Sequence, residues 1–405
     1  MKIPSEPLYL SAAEASNELS VSPATLYAYV SRGLIRSEPV ADSRAKRYRA
    51  DDVRSLKDRR GAGTRVAEGE ATVLDSAIST LTEQGSYYRG VSAVTLAENA
   101  TLEQAATLLW DVDAIDPFSA DNMPVMSPAM TAVAAATANE PPLARAIAVL
   151  ALASDADPRA FNRSREGRAQ IGARVMRLMA AAVLGTAPSP QLIHRQVAAA
   201  WSPGNGAAQE LIRRALVLLA DHELNPSTFT LRCAASTGLN LYDATIAGLA
   251  ALKGPRHGGA GPLSAHLVAD LADGDLSGKI RERVSLGERI AGFGHSVYKH
   301  GDPRADDLLG RLAEAGFDRK LAIDAPALIH EATGLYPNID YALAVLVRGL
   351  GLPIGHELAL FAIARTAGWV AHGIEQLQSG QLIRPRARYT GPAPARGDPG
   401  NRPRR

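Results

Sequence analysis

Cysteine is almost missing from this chain: Cys233 stands alone among 405 residues. A single thiol excludes an intramolecular disulfide framework and a cysteine-based zinc site. Cys233 itself reads as a small buried apolar residue, and no metal is expected. Aromatic residues make up only 5% of the chain, so the core has to be built from aliphatic side chains. An excess of one charge is lacking too. The formal net charge is +2, which excludes a chain that binds polyanions over its whole surface. No apolar run reaches the roughly 18 residues needed to span a bilayer. The first residues, "MKIPSEPLYLSAAEA", lack the basic-then-apolar pattern of a signal peptide. These absences predict a soluble cytoplasmic protein with no membrane partner.

What is present is a globular composition in three textures. With 46% hydrophobic residues, the chain is long enough for two or three domains and a sizeable core. Residues 1–60 form a compact unit that runs into "GAGTR", a linker by its glycines. Residues 65 to about 390 carry Ala, Leu, Ile and Val at helical spacing, as in "LARAIAVLALAS", "GARVMRLMAAAVLG" and "ELIRRALVLLADHEL". Alternating strand patterns are scarce, and "ATVLDSAIST" is the best of them. This body is predicted to be almost all helix, with apolar faces wide enough for a multi-helix core. Residues 393–405 are rich in Pro, Gly and Arg without a hydrophobic anchor and are predicted to be a disordered tail.

In the first unit, "LSAAEASNELSVSPATLYAYVSRGLI" predicts two helices around a short turn at residues 20–22. Ser22 is a good cap and Pro23 suits the first helical position. Gly33 ends the second helix. A helix pair of this layout can set its second helix in a major groove. From Arg36 to Arg49 five basic residues stand against two acidic ones, which suits a wing lying along phosphates. The unit resembles the winged helix-turn-helix of the MerR family and its excisionase-like relatives through Thr25, Leu26, Tyr29, Gly33, Leu34, Arg47, Tyr48, Asp52 and Val53. The resemblance implies duplex DNA as a partner, with Thr25 and Tyr27 toward the bases and Arg44 and Arg47 on phosphates. A packing or docking module that has lost DNA binding is the alternative, since Tyr27 and Tyr29 suit a core equally well.

Four stretches of the body place reactive side chains on rigid turns. "IAGFGHSVYKHGDPRADDL" presents His295 after a Gly-Phe-Gly turn and Arg304 in an Asp-Pro-Arg turn. "DHELNPSTFTLR" puts His222 beside two acids, and "GPRHGGAGPLSAHL" puts His257 next to a helix start expected at Leu263. "GLYPNIDYALA" puts Asp340 at the mouth of another helix. Singly, each has an ordinary reading. A lone histidine is usually a structural or surface group, and His194, His266, His300, His330, His356 and His372 are read that way. Asp340 alone would be an N-cap.

Together and in this order, the stretches resemble the citrate synthase family. The chain carries His-Glu-Leu-Asn-x-Ser-Thr-Phe, Gly-Pro-x-His-Gly-Gly-Ala, Gly-Phe-Gly-His-x-x-Tyr followed by Asp-Pro-Arg-Ala, and Pro-Asn-x-Asp. It adds "YYRGVSAVTLAENATLEQAATLLW" early and "ARTAGWVAH" and "IRPRARYTG" late, so the resemblance spans roughly residues 70–392. It implies an all-α fold, with citrate-synthase-like large and small helical domains preceded here by the small winged helix-turn-helix domain. The large domain would take residues 65–259 and 351–392, and the small domain residues 260–350. It also implies a homodimer with shared active sites and a small domain that closes over the substrates.

The implied activity condenses acetyl-CoA with oxaloacetate to citrate and CoA, with the acyl-CoA as co-substrate and no tightly bound cofactor. A carboxylate must take a proton from the methyl group beside the thioester, and Asp340 matches the family's base. His257 matches the donor to the enolate oxygen, and a helix N-terminus would keep its ring neutral. His295 matches the donor that polarises the oxaloacetate ketone. Two carboxylates call for forked arginines. Arg304 and Arg365 match the binders within one chain, and Arg384 one that the partner subunit contributes. His222 matches a further oxaloacetate contact. Ser296, Tyr341 and the shortened segment 111–126 depart from the family pattern and leave acyl choice open. A 2-methylcitrate synthase using propionyl-CoA stays in play, because one methylene changes binding by only about 1–3 kcal/mol. So do a metabolite-sensing transcriptional regulator and a lyase acting backwards on citryl-CoA.

Overall fold

The structure, a computed structural model, describes residues 9–19, 21–31, 33–40, 46–53, 56, 74–387 and 390–391. The expected linker at residues 61–64, Arg44 and the tail 393–405 lie outside the described residues. The chain divides into two compact units, Met1–Asp75 and Ser76–Arg405.

In the first unit β1 (Tyr9–Leu10), α1 (Ala12–Leu19), α2 (Pro23–Ser31), β2 (Ser37–Pro39) and β3 (Lys46–Arg49) follow one another. Ser22 caps α2: its Oγ accepts from the Thr25 amide at 3.2 Å and bonds the Thr25 hydroxyl at 2.9 Å, satisfying a donor the helix leaves open. Gly33 has φ +72°, and the Leu34 amide donates back to the Tyr29 carbonyl at 3.0 Å, a left-handed stop. The strands form an antiparallel sheet in the order β1-β3-β2, with Tyr48 opposite both Leu10 and Ser37. Tyr48 packs with Ala15, Leu26, Ile35 and Val53 in the unit's own core.

The second unit opens with a meander of β4 (Ser79–Thr82), β5 (Gly85–Tyr88) and β6 (Val91–Ser92). The strand expected across residues 71–80 is displaced: residues 74–78 are not strand, and pairing begins at Ser79. The reason is a competing acceptor. The Ala77 amide donates to the Glu375 carboxylate at 2.8 Å instead of to a neighbouring strand.

Helices follow: α3 (Ala93–Leu96), α4 (Leu102–Trp110), α5 (Pro128–Ala136), α6 (Pro142–Ala156), α7 (Arg165–Leu184), α8 (Ile193–Trp201), α9 (Gly206–Leu218), α10 (Pro226–Ala235), α11 (Leu241–Leu252), α12 (Ala260–Ala272), α13 (Leu276–Ser285), α14 (Pro303–Glu314), α15 (Ala325–Thr333), α16 (Ile339–Gly349) and α17 (His356–Ser379). α7 and α17 are buried around most of their circumference, as helices inside a multi-helix core must be. Small residues let α17 approach its neighbours. A Cβ on Gly368 would lie 2.5 Å from the Ala220 carbonyl, to which the Gly368 amide donates at 3.0 Å. The core is aliphatic, with Trp110 and Trp369 as large exceptions. Buried arginines serve it as well: Arg177 and Arg213 donate to backbone carbonyls of loops and helix ends, removing acceptors that would be costly to bury alone. Cys233, expected to be buried, is half-buried on α10. Among the described residues no helix is long and apolar enough to cross a membrane.

Candidate active site

His222, His257, His295, Arg304, Asp340 and Arg365 line one cavity of about 180 Å³. Asn225, Asn338, Glu357 and Phe361 complete much of its wall. Six of the seven side chains expected to bind or react therefore converge from separate segments. Arg384 does not join them; it is exposed in the irregular stretch after α17.

Two of the turns are pinned to each other. Phe293 and Pro337 form an antiparallel bridge. The Gly294 amide donates to the Tyr336 carbonyl at 2.8 Å, and the Asn338 amide to the Gly292 carbonyl at 2.8 Å. Asn338 Nδ2 adds a bond to the Gly294 carbonyl at 3.0 Å. Gly292 and Gly294 have φ of +77° and +79°, a region open to glycine. A Cβ on Gly292 would also sit 2.8 Å from Ser264 Oγ and from Tyr341 Cβ. The loop of His295 is thus fixed to the start of α16. The N-cap there is Asn338, whose side chain accepts from the Asp340 amide at 3.0 Å. Asp340 is the second residue of the helix, and its carboxylate is not needed as a cap.

Burial pushes Asp340 up to about 6; Arg304 and Arg365 oppose the rise, while Asp302 and Glu357 add to it. His257 is pushed the other way, to about 4, by burial first and by Arg365 second. Its ring is neutral, as expected. α12 begins at Ala260 and not at Leu263, because tight turns run into it, with the His257 amide on the Gly254 carbonyl at 3.0 Å and the Ala260 amide on the His257 carbonyl at 3.3 Å. His257 Nε2 lies 2.8 Å from Ser227 Oγ, which also accepts from Trp369 Nε1 at 3.3 Å. With Nε2 engaged, Nδ1 is the ring nitrogen left for a ligand.

His295 has its tautomer set by its own loop. Nδ1 accepts from the Val297 amide at 3.1 Å and the Tyr298 amide at 3.3 Å. A nitrogen that accepts cannot carry the proton, so the neutral ring holds it on Nε2. Burial, then Arg304, lowers the His295 pKa. His222 is held well below its ordinary value by burial and by the nearby arginines. Its Nε2 lies 3.2 Å from the Tyr298 hydroxyl, and its ring meets His295 edge-on at 5.4 Å. The chain turns sharply beside it: Glu223 adopts φ +55°, held by bonds from its amide to Ser79 Oγ at 3.2 Å and Asp221 Oδ2 at 3.1 Å.

The two arginines differ. Asp302 grips Arg304 through Nε at 3.0 Å and Nη2 at 2.8 Å. Burial works against the Arg304 charge, but Asp302 outweighs it and raises the pKa. Arg365 donates Nε to the Leu219 carbonyl at 2.9 Å, and its buried Nη1 has no partner among the described residues. Burial lowers Arg365 to about 10. It stays cationic at neutral pH, in a site that favours an arriving anion.

Residues 68–386 match the family model described as "Citrate synthase, C-terminal domain", well over half of the chain. The chain belongs to the citrate synthase family. It is 40% identical over 195 residues to a citrate synthase of Haloferax volcanii, covering 46% of this chain and 52% of that one. It is 37% identical over 188 residues to 2-methylcitrate synthase 1 of Corynebacterium glutamicum, covering 44% and 49%. The chain spans about half the length of the curated relatives it matches. A solved citrate synthase of Thermotoga maritima MSB8 superposes with a TM-score of 0.65 at 28% identity, covering 81% of this chain and 96% of that one.

Within this citrate synthase family chain, Asp302, Tyr298 and Ser227 escaped sequence reasoning. Each lies inside a motif that was read, but their neighbours drew the chemistry. Asp302 precedes Pro303 at a helix start, an N-cap signal. It accepts from the Arg304 amide at 3.1 Å and from the Ile339 amide at 3.1 Å, joining Arg304 to the helix of Asp340. Tyr298 and Ser227 are spelled in those motifs, but nothing in the sequence shows what they touch. Among the described residues no cluster of three His, Cys, Asp or Glu is arranged to hold a metal. Residues 1–67 of the first unit precede the matched span. There Tyr27 is 54% exposed, and Thr25 is tied to the Ser22 cap. Arg47 pairs with Glu38 at 3.0 Å and lies over the Tyr9 ring at 4.3 Å.

Proposed function

We propose that this member of the citrate synthase family condenses acetyl-CoA with oxaloacetate and hydrolyses the product thioester to citrate and CoA. One observation carries the reading: a half-buried carboxylate with a pKa pushed up to about 6 shares a cavity with three imidazoles whose pKa values are lowered and a buried guanidinium whose Nη1 has no partner among the described residues. Asp340 takes a proton from the acetyl methyl group. His257 donates to the developing enolate oxygen through Nδ1; for this the Ser227 hydroxyl, which donates to Asn225 Oδ1 at 2.8 Å in this structure, turns to Nε2. The enolate carbon attacks the oxaloacetate ketone, whose oxygen His295 polarises from Nε2–H. Arg304, Arg365 and His222 hold oxaloacetate, and the partner of a homodimer adds its Arg384. Water then cleaves citryl-CoA, releasing the thiol. No resident cofactor is needed. Residues 260–350 act as the small domain, closing on residues 65–259 and 351–392. Release of free thiol from acetyl-CoA, dependent on oxaloacetate, tests the reading; no release with any acyl-CoA sinks it. A propionyl-CoA reaction giving 2-methylcitrate is the second reading, favoured by the similarity to the Corynebacterium glutamicum 2-methylcitrate synthase.

The first unit we read as a winged helix-turn-helix that binds duplex DNA. The exposure of Tyr27 on α2 supports this. Binding should fall steeply with salt, because each neutralised phosphate releases counterions. Arg47→Ala should weaken binding to all sequences, and changes at Thr25 or Tyr27 should alter preference among them. Failure to bind genomic DNA fragments at low salt would make the unit a docking module.

A further inference from the structure

A second carboxylate stands in the cavity wall that the chemistry above does not use. Glu357, in the first turn of α17, is 1% exposed and lines the same cavity as Asp340 and His257. Its two oxygens share a single donor, the Gly355 amide, at 3.0 and 2.9 Å. Among the described residues no cation pairs with it at ion-pair distance. The other buried acids around the site are better served: Asp302 holds Arg304, and Asp221 holds Ser79 and His372. A carboxylate has room for about four hydrogen bonds, and burying one with a single N–H is costly. An exposed first-turn acid gains the same favourable helix-end interaction without that cost, so capping alone does not explain the burial.

The position of Glu357 indicates what it would meet. Gly261, one turn beyond His257, makes room for it: a Cβ there would lie 3.1 Å from Glu357 Cγ. Glu357 therefore packs beside the turn that presents His257, and its charge is felt at Asp340. Resting on the reading that these two residues act on the acyl carbon and its enolate oxygen, Glu357 stands at the acyl end of the cavity. We infer that Glu357 is a specificity residue, its spare acceptor capacity selecting acyl thioesters that carry a hydrogen-bond donor on the α-carbon, such as a hydroxyacetyl group, over apolar acyl groups of equal size. A buried acceptor left unpaired by a propionyl methyl group penalises that substrate, whereas a hydroxyl of the same volume satisfies it.

The experiment compares kcat/KM for acetyl-, propionyl- and hydroxyacetyl-CoA, with oxaloacetate saturating, in the full chain and in Glu357→Gln and Glu357→Met. Hydroxyacetyl and propionyl groups differ by one hydroxyl in place of one methyl. The parent should favour hydroxyacetyl over propionyl by about 10- to 100-fold, the range of a hydrogen bond to a charged group. Glu357→Met should abolish or invert that ratio, and Glu357→Gln, which keeps shape and an acceptor, should fall between. A parent that favours propionyl, or a ratio unchanged in both variants, overturns the inference. So does an equal loss on all three thioesters, which would place the contact on a part common to every CoA ester. Turnover of acetyl-CoA by the parent tells the two proposals apart: its presence with an unmoved ratio removes the role of Glu357 alone, and inactivity on all three thioesters removes both.

Discussion

A carboxylate that takes a proton from carbon works best with a pKa near the working pH. Burial lifts Asp340 to about 6, and the flanking arginines restrain the rise. As base it must be ionised, so kcat/KM should climb through about pH 6 and level off above it. His257, neutral down to about pH 4, adds no second limb there. Asp340→Asn should lower turnover by at least ~10² while oxaloacetate still binds; near-normal turnover would strip Asp340 of the role. The same shift has a stability sign. A raised carboxylate pKa means the folded chain holds the proton more tightly than the unfolded chain. Its stabilisation is complete below the unfolded value of 3.8 and is lost as pH rises through about 6. Asp340→Asn should therefore be more stable than the parent at pH 8, by at most about 3 kcal/mol. Denaturant unfolding at pH 8 and pH 4 checks this, the advantage fading at the lower pH. Asp302 carries the opposite expectation. Asp302→Asn breaks a buried pair with Arg304 and should cost roughly 3–5 kcal/mol, read as a fall in Tm.

At the scale of elements, the site depends on short ties between turns. The His295 loop and the start of α16 are joined by backbone bonds and by Asn338. Asn338→Ala should lose about 1 kcal/mol through the cap and also free the loop that aims His295. Thermal unfolding should show a small loss and kcat a larger one. Equal, small effects on both would mean that the cap is only structural. The cap of α2 and the glycine turns were legible in the sequence, since they depend on residues a few positions apart; the α16 cap is Asn338, where the sequence reading alone would have put Asp340. The displaced strand near residue 77 was not. The acceptor that diverts the Ala77 amide, Glu375, lies 298 positions away in the chain.

At the scale of the whole molecule, the seventh expected side chain stays outside the cavity of its own chain. Arg384 is exposed in its own chain, beyond α17, and a homodimer with shared sites would deliver it to the partner's cavity. Arg384→Ala and Asp340→Asn subunits, each inactive alone, should regain partial activity when mixed, because one of the two sites then receives both intact residues. Mixing that never restores activity, under conditions where subunits demonstrably exchange, would refute the shared site.

Composition and motif order by themselves determined an aliphatic, nearly all-helical body and named six side chains that share one cavity. Such signals are local or periodic: a proline at a helix start, a glycine at positive φ, an apolar face recurring every turn. Only tertiary structure decided the charge state of those side chains and the identity of their partners. His257 is neutral because burial and Arg365 act on it. Asp340 is poised near 6 because the fold removes water from it. Asp302 and Ser227 matter through what they touch across the core, and Glu357 looks like any surface acid at a helix start until the fold buries it. Desolvation and Coulomb interaction depend on distance in space, and that distance is set by packing between segments far apart in the chain.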